Sequence, residues 1–174
     1  IEKAKKLAVT ELRQCYADKG IVAGRHHYND YWTRDAGFAV LAALDLGAFE
    51  VVKKHFELLA RFQKKNGMVP FLLRQYLPLS MLGIKIKIIL KPHYRSHKFF
   101  WLTEVIDSNA YFVLIFCNLV SASSDLGFFK KHRAAVEAAL VWYFGKMDKK
   151  DFLVKEGYVA SWNDGVYKKG SLFL

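Results

Sequence analysis

Tyr31-Trp32-Thr33-Arg34-Asp35, followed directly by the apolar run Ala36 to Leu46, is the stretch whose reading decides the fold. It sets an indole, a guanidinium and a carboxylate at the start of a helix. A carboxyl group gives or takes a proton at a glycosidic oxygen. Arg forks hydroxyls or holds a neighbouring carboxylate, and Trp offers a flat apolar face with one polar edge. The three groups together suit a sugar-binding site. The run behind them is short and apolar almost all round, so its helix is expected to be buried.

Working outward, apolar residues recur at helical spacing through most of the chain. Leu7, Val9, Leu12 and Cys15 predict a first helix, closed by Gly20. Phe38, Leu41 and Leu44 belong to the second. Phe49, Val52, Phe56, Leu59 and Phe62 predict a third with a lysine-rich outer face, ending at Asn66-Gly67. Tyr111, Leu114, Ile115 and Leu119 predict a fourth, again nearly all apolar. Val136, Leu140, Tyr143 and Phe144 predict an amphipathic fifth that ends near Gly145.

The order is buried helix, amphipathic helix, buried helix, amphipathic helix, and the joints repeat as well. Asp45-Leu46-Gly47-Ala48-Phe49 matches Asp125-Leu126-Gly127-Phe128-Phe129. Each outer helix leaves through a polar turn and an apolar exit, Asn66-Gly67-Met68-Val69 and Asp151-Phe152-Leu153-Val154. Tandem α-hairpins of this kind predict an all-α helical toroid or solenoid, with residues 1–174 as a single domain.

A solenoid keeps one end of every inner helix on one rim. The first inner helix starts at Asp35, the second at Asp107, and Asp164 in Ser161-Trp162-Asn163-Asp164 stands where a third is expected. Acids also occupy such positions simply to complement the helix dipole. Between Pro70 and Thr103 the helical pattern lapses. Ile84-Lys85-Ile86-Lys87-Ile88 alternates with period two and predicts a short strand bounded by Gly83 and Pro92. Residues 70–103 therefore form an insertion expected on the same rim. Its lysines, with His93, Arg95, His97 and Lys98, make the only local basic cluster in the sequence.

The formal charge of +11 is otherwise spread over helix faces and ends, as at Lys53, Lys54, Lys64, Lys65, Lys130 and Lys131, and predicts a solvated surface. The most apolar stretch, Ala110 to Val120, is about half the roughly 20 residues a membrane span needs. Cys15 and Cys117 lie far apart in helical patterns and predict buried thiols in a reducing, cytoplasmic compartment. The chain opens at Ile1 and stops at Leu174 inside a patterned region, as a piece of a longer protein would.

His26-His27, followed by Asp30, has no second ligand pair at a recognised spacing, so a loop hydrogen-bonding role is expected and no metal. Gly20, Gly24 and Gly37 make no phosphate cradle, no serine sits in a nucleophile elbow, and no cofactor is expected. The basic insertion with Tyr94, Phe99, Phe100 and Trp101 offers an alternative. In that alternative the chain is a non-catalytic helical solenoid that binds nucleic acid or a protein partner. The rim aspartates would repel phosphates, which argues against a nucleic-acid partner.

The segment Gly24 to Gly37 resembles the Trp-x-Arg-Asp segment of six-hairpin glycosidases. The similarity is closest to amylo-alpha-1,6-glucosidase (glycogen debranching) domains, with neutral invertases and glucoamylases as relatives. Gly67-Met68-Val69-Pro70 resembles their Gly-Leu-Ile-Pro turn. Val105-Ile106-Asp107-Ser108-Asn109-Ala110-Tyr111-Phe112 resembles their Val-Asp-Ala/Ser-x-x-x-Phe helix opening, and Ala160 to Asp164 resembles their Thr-Trp-Met-Asp segment. The four matches stand in the family's order and span most of the chain. Two features depart from the family pattern, the long basic insertion and Asn163 in place of an apolar residue.

The resemblance implies an (α/α)6 barrel, of which this chain holds roughly the first half. It implies an inverting glycoside hydrolase acting on an α-linked glucoside, an oligo- or polysaccharide such as glycogen or starch. Asp35 falls where the family has its catalytic general acid. Tyr31, Trp32, Arg34, Asp107, Asn109, Trp162 and Asp164 fall at substrate-binding positions. The second carboxylate is expected beyond residue 174. Because a paired Arg34 would hold the Asp35 pKa down, Arg34 is expected to turn toward substrate or toward Asp107.

Overall fold

The computed structural model describes residues 1–25, 28–76, 86–98, 101–156 and 171–173. Five helices lie where the apolar periodicity sets them: α1 (Glu2–Gln14), α2 (Thr33–Asp45), α3 (Phe49–Arg61), α4 (Asp107–Ser123) and α5 (Leu126–Phe144). Between them the chain is not simply loop. Strands β1 (Tyr16–Ala17), β2 (Gly20–Ile21), β3 (Tyr31–Trp32), β4 (Leu72–Tyr76), β5 (Lys87–His93), β6 (Arg95–Lys98), β7 (Trp101–Glu104), β8 (Val154–Glu156) and β9 (Ser171–Phe173) pair into four small antiparallel units.

The expectation of an all-α partial (α/α)6 toroid is therefore overturned, and the fold is mixed α and β. The cause is that extended segments joining the helices satisfy their backbone groups by pairing with one another. The largest unit is three-stranded, in the order β3-β4-β5, with Tyr31 opposite Leu73 and Trp32 opposite Leu72. Strand β5 runs on through Pro92, which lies opposite Leu73 instead of ending the strand. Pro is tolerated there because, among the described residues, β5 is an edge strand with no outer neighbour needing its N–H. Of the alternating segment that predicted this strand, residues 84 and 85 lie outside the described residues.

The core forms where α3, α4 and α5 meet around Phe56. Its ring stacks on Phe112 at 4.4 Å and touches Phe116, Phe128 and His132 at 5.2–5.5 Å between centroids. Aromatic clusters of this kind combine large buried area with favourable edge and offset geometry. Helices α2 and α4 run side by side in the same direction. Arg34 meets Asp107 at their N-terminal ends and Gly37 meets Tyr111 one turn later.

These two inner helices are not buried all round as their composition suggests. Phe38 is 62% exposed, Leu41 49% and Leu114 50%. Cys117 is exposed and Cys15 only half-buried, so neither is the interior thiol expected of it. Helix α1 buries no residue fully.

The two similar joints also differ. Gly47 takes a left-handed conformation, φ +72°, in the turn between α2 and α3. In the second joint Ser124 takes the left-handed position, φ 52°, and Asp125 caps α5 by accepting from the Phe128 N–H at 2.8 Å. A carboxylate at that position satisfies one of the orphan donors of the first turn. It also binds Lys53 of α3 at 2.9 Å, tying the two outer helices together.

Candidate active site

The site residues are carried by the junction of β3 with α2. Trp32 ends the strand in an extended conformation and is also the N-cap residue of the helix. Thr33 locks the junction. Its N–H donates to the Phe71 carbonyl at 3.0 Å and its buried hydroxyl donates to the Pro70 carbonyl at 2.6 Å. The exit of α3 is thereby pinned to the entrance of α2. Trp32 is half-buried between Tyr28 and Phe71, with ring centroids 6.3 and 5.8 Å away in edge contacts.

Arg34 donates from Nε to Asp107 Oδ2 at 2.7 Å, so of the two directions expected for it the guanidinium takes Asp107. Both side chains are largely shielded, 25% and 14% exposed, which strengthens the pair relative to a surface contact. Asp35, in the first turn of α2, is exposed as a residue. The surrounding protein nevertheless screens its carboxyl partly from water, and that desolvation raises its pKa. Its own backbone N–H and the nearby Arg34 charge pull the other way.

Asp35 and Ala39, one turn apart on α2, line a concavity of about 330 Å³. Its other walls come from Glu11 and Leu12 of α1, from Cys15 just past its end and from Ile21 to Arg25. Arg25 is itself held by a hydrogen bond to Gln14 at the end of α1. Glu11 and Asp35 are the two carboxylates of this lining.

Two of the residues expected at substrate-binding positions lie in the core. Asn109 is fully buried and its amide is committed to backbone. Its Oδ1 accepts from the Val69 N–H at 3.0 Å, and its Nδ2 donates to the carbonyls of Gly67 at 2.9 Å and Ala139 at 3.0 Å. It joins the α3 exit, α4 and α5, and has no face left for a ligand. Tyr31 is likewise fully buried, its hydroxyl 3.3 Å from Asp18, with burial raising its pKa. In a strand, residue 31 must face opposite to residue 32, so one of the two had to point into the core.

Trp162 and Asp164 lie outside the described residues, as do His26 and His27. Asp30 does serve as a loop acceptor, taking the Gln75 N–H at 2.7 Å. Among the described residues no group of three or more His, Cys, Asp or Glu is placed to hold a metal ion. No helix among them is long and apolar enough to cross a membrane.

Three residues that were given no role from the sequence enter the site, although Arg25 and Tyr111 lie inside the segments that mark it. Glu11 and Arg25 are brought to the concavity by tertiary contact alone. Tyr111 stands over Gly37, and its phenol pKa is raised by burial first and then by the Asp107 charge, with lesser effects of Arg34 and Asp35 in opposite directions. Its position in α4, one turn after Asp107, is the only sequence signal that it faces the same end. Arg34, Asp35, Asp107 and Tyr111 thus form one electrostatically connected group where α2 and α4 begin. No family model, curated protein or solved structure matches this chain.

Proposed function

We propose that the protein is a glycoside hydrolase of the inverting type, acting on an α-linked glucoside or oligo- or polysaccharide, with Asp35 as general acid. The observation that carries this reading is the direction of Arg34. Its guanidinium is committed to Asp107 at 2.7 Å, so the adjacent carboxyl of Asp35 keeps the raised pKa that desolvation confers. A raised pKa is the direction that general acid catalysis calls for.

In this reading a sugar ring lies on the exposed part of Trp32. Asp35 gives its proton to the departing glycosidic oxygen as the bond from C1 to that oxygen breaks. A water attacks C1 from the opposite face and loses its proton to a second carboxylate. Glu11, the other carboxylate that lines the concavity, is the candidate for that base, and an inverting pair leaves about 6.5–9.5 Å for the water. Arg34 and Tyr111 supply hydrogen bonds at the edge of the site, and the reaction draws on no cofactor.

The test is release of glucose from maltose, isomaltose, trehalose, sucrose and glycogen by the purified protein and by Asp35→Asn. Turnover of one of these, reduced at least ~10²-fold in the variant while sugar binding persists, is expected for loss of the acid. An Asp35→Asn variant that keeps more than about a tenth of the activity would exclude Asp35 from that role.

A further inference from the structure

The sheet that begins at Trp32 carries a feature that hydrolysis of a neutral glucan does not use. Residues directly opposite one another in an antiparallel pair project to the same face. Trp32 stands opposite Leu72, and Leu72 opposite His93, so these three form one row across the sheet. Two residues along, Arg74 of β4 stands opposite Lys91 of β5, and beyond a bulge Tyr76 stands opposite Lys87. The Trp32 face of the sheet therefore continues into a row of two facing cations and then into a third.

Like charges directly opposite one another destabilise a strand pair. Lysines on an edge strand have an ordinary use, since they discourage another strand from adding to the edge. That accounts for Lys87 and Lys91, both exposed on the edge strand β5. It does not account for Arg74, which sits on the central strand β4. The only acid paired with Arg74 among the described residues is Asp30, at 3.8 Å, the outer limit of an ion pair. The other carboxylate oxygen of Asp30 is already engaged by the Gln75 N–H. Three cations against one carboxylate leave this face positive, and the half-buried His93 imidazole registers it. Its pKa is lowered by burial and then by the charges of Arg74 and Lys91.

Adjacent strands lie about 4.8 Å apart and residues two apart in a strand about 6.8 Å. The Arg74–Lys91 row is thus within one or two sugar units of the Trp32 ring. The patch is too small for a long run of regularly spaced phosphates. A single anionic substituent on an otherwise neutral chain fits it better.

We propose that the Trp32 face of the β3-β4-β5 sheet is a subsite for an anionic saccharide, in which Arg74 and Lys91 hold an acidic group on the sugar unit next to the one stacked on Trp32. This rests on the glycosidase reading and narrows it to glycans that carry a phosphate ester, a carboxylate or a sulfate.

The experiment is titration calorimetry at low and high salt, using the whole protein. The probes are a neutral maltooligosaccharide, the same oligosaccharide carrying a 6-phosphate, an oligouronate, a sulfated oligosaccharide and a single-stranded oligonucleotide. One of the three anionic saccharides is expected to bind roughly tenfold or more tighter than the neutral one at low salt, the scale of one charge-assisted hydrogen bond. The advantage should shrink at high salt and disappear in Arg74→Gln/Lys91→Gln. That variant removes a repulsive pair and should melt no lower than the parent. Lys91→Gln alone, at an exposed edge position, should lose part of the advantage and guards against misfolding of the double variant. Equal binding of neutral and anionic saccharides would overturn the subsite and leave the hydrolase reading standing. Binding of the oligonucleotide but of no saccharide would overturn both.

Discussion

Gly37 of α2 faces the ring of Tyr111 of α4 so closely that a β-carbon at residue 37 would lie 2.4 Å from Tyr111 Cδ1. No side chain fits there without displacing the ring, so this contact sets the separation of the two helices. It lies one turn below Arg34 and Asp107, whose 2.7 Å contact needs that separation. A single glycine thereby helps decide where the guanidinium goes. Gly37→Val should destabilise the fold by about 1–3 kcal/mol, the usual cost of overpacking. Urea denaturation measures it, and Tyr111→Ala combined with Gly37→Val should recover part of the loss. Strict additivity of the two changes would contradict a direct clash.

Asn109 makes a second structural prediction. Asn109→Leu removes the partners of the Val69 N–H and of the Gly67 and Ala139 carbonyls in a fully buried place. Stability should fall by at least ~2 kcal/mol, because each buried group left unpaired costs on the order of 1–3 kcal/mol. Loss of sugar affinity with an unchanged denaturation midpoint would return Asn109 to the substrate side.

The Arg34 charge lowers the Asp35 pKa, although less than burial raises it. Removing that charge in Arg34→Gln should raise the Asp35 pKa further. A general acid is active while protonated, so the alkaline limb of the pH–rate profile should move to higher pH. A limb that stays in place or moves down would separate Asp35 from the titration that controls the rate.

Glu11→Gln tests the second carboxylate. If Glu11 takes the proton of the attacking water, the variant should lose at least ~10²-fold in turnover while binding substrate. Rescue by a small anion such as azide, giving a glycosyl azide of inverted configuration, would mark the lost base. Full activity would place the base elsewhere. Glu11 is exposed on α1, so its replacement should leave stability unchanged.

His55 gives a pH prediction for stability. It is wholly buried, and burial lowers its pKa from 6.5 to about 4. Its Nδ1 accepts the Ile21 N–H at 3.2 Å, so the neutral ring carries its proton on Nε2. Between pH 6.5 and 4 the unfolded chain takes up a proton at this residue and the folded chain does not. Stability should therefore fall as pH drops through that window, by roughly 3 kcal/mol in all. Above pH 6.5 the residue contributes no pH dependence. Thermal melting from pH 8 to 4 measures the slope, and His55→Gln should flatten it. An equal slope in both proteins would assign the acid sensitivity to other groups.

The five helices were legible because the signal that marks a helix is local. Apolar residues at 3.6-residue spacing in Phe49 to Phe62 describe one face of one element without reference to the rest of the chain. Of the strands, only β5 was signalled, by the alternation of residues 84–88, and the others were not. Tyr31–Trp32 is a two-residue strand defined by Leu72 and Leu73, far along the sequence, and no periodicity exists over two residues. Cys117, Phe38 and Leu41 misled for the converse reason, since an apolar composition says what a helix is able to bury and not what is present to cover it.

The same division runs through the site. From residue types alone came an acid, a guanidinium and an indole at the head of a helix, with a second aspartate heading another inner helix. Which of these meets which is a property of packing. Only the tertiary structure chose Asp107 over substrate for Arg34, turned Tyr31 and Asn109 into the core, and brought Glu11 to the concavity that Asp35 lines. Local chemistry is written in neighbouring residues. Partner choice depends on contacts between segments dozens of residues apart, and those are set by the separation and direction of whole helices.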